Sequence, residues 1–274
     1  MQESRKKEIR IKTDSFREKC KVSRYGIIDL FKECERRGYK LFRYPLGEEA
    51  DLGFTLRKDN DTIIFTNTCS RLAREIFTLA HEIGHIVLHM EHEESFIDDM
   101  VTIYGNCTNE KEKEKEANYF AACLLMPADE VGKFLDLEID DFVRNGLSAM
   151  DIARIMSEFN VSFEMALNRL EDLEKINNSE RIFLDNEKNQ IRVGNLLKSV
   201  GGNSRLNEAS KEISIPYEFI DYAVYNYNHQ AIPLETLERA LACYHLTIED
   251  ISDKLIEPTE NEENLEELIV GLGD

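Results

Sequence analysis

A chain of 274 residues, 42% hydrophobic and 32% charged, can bury a large core and divide into more than one unit. Its net charge of −20 argues against a general nucleic-acid binder, because phosphate contacts need clustered Lys and Arg in a favourable field. The basic start MQESRKKEIRIK lacks the apolar run of a signal peptide, and no later stretch approaches the roughly 18–20 apolar residues of a membrane span. The expectation is a cytoplasmic protein with a protein partner, no direct nucleic acid and no membrane. Six cysteines (Cys20, Cys34, Cys69, Cys107, Cys123, Cys243) include no C-x-x-C pair and read as free thiols.

Residues 1–24 are charged, with a short helix expected around Ser15 to Cys20. From Tyr25 to Arg37, the spacing of Ile27, Ile28, Leu30, Phe31 and Cys34 predicts an amphipathic helix stopped at Gly38. Then the period changes. Tyr39 to Tyr44, Leu52 to Leu56 and Thr62 to Thr66 are short runs rich in aromatic and β-branched residues, the last two separated by the turn residues Lys58-Asp59-Asn60-Asp61. They predict a small antiparallel sheet ending in the strand TIIFT. An exposed edge there would accept an extended peptide as an added strand; the alternative is an edge covered by other parts of the chain.

The next stretch, FTLAHEIGHIVLH from Phe77 to His89, contains an H-E-x-x-H motif on an expected helix. Side chains four apart share a face, so His81 and His85 reach one ion. Glu82 projects about 100° round the helix, where a carboxylate takes a proton from water. His89 lies a further turn along. Ligation by all three histidines would be strained by the drift of about 80° that two four-residue steps produce, which favours a supporting or substrate-facing role for His89.

A polar, acidic segment, Glu91 to Glu110, follows as a candidate loop over the site. Its Tyr104 is a candidate oxyanion stabiliser, with a simply packed tyrosine as the alternative. From Glu112, KEKEKEANYFAACLLMP predicts a helix with a buried run ending at Pro127. A catalytic zinc takes three protein ligands and keeps one position open. The metzincin arrangement fails, because Leu88 and Glu91 stand where it needs Gly and His. Glu114 is the preferred third ligand, since it shares a face with Asn118, which is suited to hydrogen-bond a ligating histidine. Glu116 is the alternative. This constellation points to zinc-assisted hydrolysis of a peptide amide, with Glu82 as general base.

FTLAHEIGHIVLH followed by EKEANYFAACLLMP resembles the ImmA/IrrE family of metallopeptidases, whose members pair an F-T-L-A-H-E-x-G-H helix with an E-x-x-A-N-x-F-A-A-x-L-L-M-P helix. The resemblance spans roughly residues 20 to 175. It implies His81, His85 and Glu114 as zinc ligands, Glu82 as catalytic base, and a gluzincin-like core similar to thermolysin-like zincins. It also implies a helix-turn-helix repressor of a phage or mobile element as substrate. The expected fold class is thus α+β, a zincin-like peptidase core with a small antiparallel sheet and an active-site helix, followed by helical extensions.

Ala149 to Leu173 reads as two short helices joined at Phe159-Asn160-Val161, a helix-turn-helix spacing. Its second helix carries Glu164, Glu171 and Asp172, which disfavours DNA and favours packing or repressor docking. Beyond a polar linker (Asn177 to Glu180), short strands are expected around Arg181 to Leu184 and Ile191 to Val193. Helices are expected over Ile213 to Asn226 and Leu234 to Leu246. Glu257 to Asp274 lacks Lys and Arg and reads as an acidic tail. The expected division is a peptidase core over 1–130, a helix-turn-helix-like module over 131–178 and an α-rich appendage over 179–274. Two other readings stand beside the repressor-cleaving peptidase. One is a non-catalytic zinc-containing binder that sequesters a repressor or antitoxin, and the other is a toxin-like peptidase controlled by a partner.

Overall fold

The structure is a computed structural model and describes residues 1–50, 52–58, 61–90, 107–139 and 146–256, with side chains left aside at 58 and 107–110. Tyr104, most of the expected loop and the acidic tail lie outside the described residues. Helix α1 (Glu3–Arg17) is far longer than the short helix expected, because Ile9, Thr13 and Phe16, spaced by four and three, give the charged segment one buried face. That face packs on α4 (Cys107–Leu125), with Phe16 edge-on to Phe120 at 6.2 Å and Arg10 donating to the Tyr119 hydroxyl at 2.9 Å. Helix α2 (Leu30–Arg36) begins later than the periodicity suggests because Asp29 caps it, accepting from the Lys32 amide.

Strands β1 (Lys40–Tyr44), β2 (Gly53–Lys58) and β3 (Asp61–Asn67) form a sheet in the order β1-β3-β2. It is mixed, not purely antiparallel as expected. The Lys58↔Asp61 pair closes a β2–β3 hairpin, whereas β1 lies parallel to β3, with Phe42 opposite Phe65. Parallel pairing needs a crossover, and here the chain from Tyr44 to Gly53 carries it past β3 to the far side. TIIFT is therefore the central strand, which accounts for its near-continuous burial. The outer side of β1 meets Ser214 in a backbone bridge, and β2 and β3 both pack against α3 (Leu72–His89).

Helix α5 (Ala128–Glu138) follows Pro127. Helices α6 (Ala149–Phe159) and α7 (Phe163–Asp172) match the expected pair. Ser148 and Asp151 form a capping box, Asn160 adopts the left-handed conformation at φ 55°, and Ser162 caps α7. The expected strands at 181–184 and 191–193 are absent. Those residues lie in and beside α8 (Asn178–Gln190) and α9 (Val193–Ser199), and the supposed linker Asn177 to Glu180 is the capping box that starts α8.

The chain divides into two units, Met1–Ser214 and Ile215–Asp274. The first unit runs past residues 130 and 178 because Ile152, Phe159 and Leu167 join the same buried cluster as Leu79 and Leu124, as do Leu184, Leu196, Leu197 and Leu206. The second unit contains α10 (Glu218–Asn228) and α11 (Leu234–Ala242), and Ile220, Val224, Leu237, Leu241 and Ile251 make its own core. Tyr217, Tyr222 and Tyr225 are exposed there. Cys20, Cys34, Cys69, Cys123 and Cys243 are free thiols. No helix among the described residues is long and apolar enough to cross a membrane.

Candidate functional site

Helix α3 is pinned at its start by a buried polar knot that the sequence reading missed. Glu75, 0% exposed, accepts from Arg43 Nε (2.8 Å) and Nη2 (3.1 Å), from Thr66 Oγ1 (2.9 Å) and from Ser210 Oγ (3.1 Å). A carboxylate so buried is stable only when its charge and lone pairs are met. Arg43 also pairs with Glu212 at 2.8 Å. The knot fixes the helix that carries the motif.

Two turns on, His81, His85 and Glu114 converge. His81 Nε2 lies 3.2 Å from Glu114 Oε2 and His85 Nε2 lies 3.1 Å from Glu114 Oε1, with the two Nε2 atoms 3.0 Å apart. Asn118 Oδ1 is 3.0 Å from His81 Nδ1, which assigns the proton to Nδ1 and turns the Nε2 lone pair into the cluster. Glu114 reaches the histidines because α3 and α4 touch at Gly84: a Cβ there would sit 3.1 Å from Ala117 Cα and carbonyl oxygen.

Hydrogen bonds to His81 and His85 hold the Glu114 carboxyl well below the usual carboxylate range. Burial alone would lower the His81 pKa, but its bond to Glu114 and the charges of Glu82 and Glu114 raise it overall. These donor atoms lie within 4.8 Å of one another. Two imidazole nitrogens facing each other with a carboxylate between them are the donor set that a cation such as zinc takes up, and the residues fit that ion.

Glu82 stands beside this cluster, 7% exposed, and accepts at Oε2 from the Thr55 hydroxyl at 2.8 Å. Burial raises its pKa, and the Thr55 bond opposes that rise. Thr55 belongs to β2, which starts tight against α3: a Cβ on Gly53 would lie 2.5 Å from Thr78 Cγ2 and 2.8 Å from the Phe65 carbonyl oxygen. Nothing in the spacing of the chain pairs Thr55 with Glu82, since the hairpin brings them together.

The other sequence-derived candidates are placed elsewhere. Glu116 turns away from the cluster and pairs with Arg5 at 2.6 and 2.9 Å. His89 does not join the His81, His85 and Glu114 cluster. Its side chain is 6% exposed, its ring centroid is 5.5 Å from that of His85, and its Nε2 is 3.9 Å from Glu116 Oε2. Burial and the nearby His85 push its pKa down to about 4, so it is neutral at pH 7.

Comparison with curated proteins returned no match. The sequence model of the Peptidase M78 family, described as an IrrE N-terminal-like domain, matches residues 34–171, half of the chain, a span that includes His81, Glu82, His85, Glu114 and Asn118. Such a domain is zinc metallopeptidase-like, and its family is typically metal-dependent. With the motif helix, the helix that carries Glu114 and the family match coinciding on the same residues, the chain belongs to the ImmA/IrrE family of metallopeptidases.

Proposed function

We propose that the protein is a zinc-dependent endopeptidase that hydrolyses a peptide bond in one regulatory protein of the cytoplasm, a helix-turn-helix repressor of a phage or mobile element. The observation that carries the hydrolytic part is the buried Glu82 carboxylate set beside three converging donors and held by Thr55. The choice of a repressor rests on family membership.

His81, His85 and Glu114 would hold the ion, and Asn118 keeps His81 in the tautomer that offers Nε2. A zinc ion so held supplies Lewis acidity, polarising a carbonyl oxygen and lowering the pKa of water toward about 7. Glu82 takes the proton of the attacking water and returns it to the leaving nitrogen. A pKa raised by burial suits both halves of that exchange. Among the described residues strand β2 is an edge of the sheet and carries Thr55 beside Glu82, so an extended substrate segment adding to that edge would lay its backbone past the carboxylate.

The test is incubation of zinc-loaded protein with the candidate repressor, wild type beside Glu82→Gln, with fragments read by mass spectrometry. The variant is expected to keep its zinc and to lose about 10²–10⁴-fold in kcat/KM, the usual weight of general acid–base catalysis. Full cleavage by the variant would remove Glu82 from the mechanism. Binding by both proteins without a cut would favour the sequestering reading.

A further inference from the structure

The chain carries 54 acidic against 34 basic residues, yet one groove of the first unit reverses that balance. About 1190 Å³ in volume, it is bordered by α3, α4, α6 and α7, and five basic side chains line it against three acidic ones. It reaches the metal cluster at Asn118, the residue bonded to His81.

From the N-cap Arg71 into α3, the sequence Arg71, Arg74, Thr78, His81, His85 steps by three and four, so Arg74 lies on the face that presents the histidines and Arg71 stands at the start of that row. On α4, Lys115 directly follows Glu114. Arg71, Arg74 and Lys115 are exposed, and their side chains have no hydrogen-bonding or ion-pair partner among the described residues. Arg169, 4% exposed, adds a fourth positive charge under the groove. It donates to the Met126 carbonyl at 2.9 Å and to Cys123 Sγ at 3.5 Å, with no carboxylate partner among the described residues. Of the acids in the lining, Glu164 is already engaged by Arg181 at 2.7 Å and Lys188 at 3.6 Å. Phe77, Met156, Phe163 and Met165 place apolar surface between these charges.

We propose that this groove binds the substrate chain on one side of the scissile bond and selects acidic side chains there through Arg71, Arg74 and Lys115, an assignment that rests on the peptidase reading above. Arg74 and Arg71 lie seven and ten residues before His81, about 10 and 15 Å along a helix axis. An extended peptide advancing about 3.3 Å per residue brings an Asp or Glu opposite them roughly three to five residues from the bond. A peptide offers its carboxylates singly between apolar side chains, as this lining requires. A nucleic acid would carry its whole phosphate run into the field of a −20 chain.

The test uses the full chain as Glu82→Gln, loaded with zinc so that the probe stays whole. A fluorescent peptide of Leu, Ala and Glu is titrated by anisotropy beside a counterpart with Lys for every Glu. The Glu peptide is expected to bind about tenfold more tightly. Arg71→Glu with Arg74→Glu should abolish that preference at unchanged zinc content and melting temperature, and the milder Arg74→Gln should reduce it. Equal affinities for the two peptides, or a preference that survives the double charge reversal, would overturn the assignment. Because this comparison needs no cleavage, failure of the peptidase reading appears separately, as a wild-type protein that cuts nothing.

Discussion

Glu82 has two opposed environments acting on one carboxyl. Its burial favours the neutral form, while the Thr55 hydroxyl, donating at 2.8 Å, favours the carboxylate. In the proposed mechanism Glu82 works as a base only when ionised, so the balance between these two influences would set the acidic limb of the pH–rate profile. Thr55→Val keeps the packing volume and removes the donor. The Glu82 pKa then rises further, and the acidic limb of kcat/KM is expected to move to higher pH. The profile of the variant beside wild type is the measurement, and an unmoved limb would show that Thr55 has no hold on the base. Asn118 acts on His81 in the same indirect way, through the nitrogen that faces away from the cluster.

Two helices must approach closely for Glu114 to reach the histidines at all. Glu114 belongs to α4 and the histidines to α3, and the contact between the helices runs through Gly84 against the Ala117 backbone. Adding one methyl there places a Cβ 3.1 Å from two Ala117 backbone atoms and 3.3 Å from Phe120 Cβ, so α4 must shift. Gly84→Ala is expected to cost about 1–3 kcal/mol of stability, the usual penalty of overpacking, and to weaken zinc binding as Glu114 withdraws. Denaturant unfolding and zinc competition titration check both effects. Wild-type values in the two assays would mean that the helix separation is set elsewhere.

Across the first unit, the region matched by the family model ends at residue 171, but the fold that supports the site does not. Helices α8 and α9 and the segment after them bury Leu184, Leu196, Leu197 and Leu206 in the same core as the motif helix, and Ser210 and Glu212 complete the knot around Arg43 and Glu75. Four buried leucines contribute about 1.5–3 kcal/mol each. That total rivals the roughly 5–15 kcal/mol that holds a whole domain folded. A chain ending at residue 178 is therefore expected to lack a cooperative melt, whereas one ending at residue 214 should melt cooperatively and bind zinc. Circular dichroism with a zinc titration on both chains decides this. A folded, zinc-binding 1–178 protein would show that the later segment is dispensable.

The sequence by itself determined the parts of this protein that depend on local spacing. His81, Glu82 and His85 follow from a helix of 3.6 residues per turn, Asn118 from its four-residue offset to Glu114, and the α6–α7 pair from Ser148, Asn160 and Ser162 at its boundaries. The capping box at Asn177 and Glu180 is equally local, and it starts α8 where the polar composition alone reads as a linker. Only the tertiary structure distinguishes Glu114 from Glu116, because both are helix carboxylates and it is the packing of α4 on α3 at Gly84 that puts Glu114 beside the histidines, while Glu116 meets Arg5, more than 100 positions earlier. Long-range pairing also decided that β1 runs parallel to β3, that Thr55 faces Glu82, and that residues 208–214 brace the motif helix. Such contacts join residues far apart in the chain, and no periodicity along a single segment encodes them.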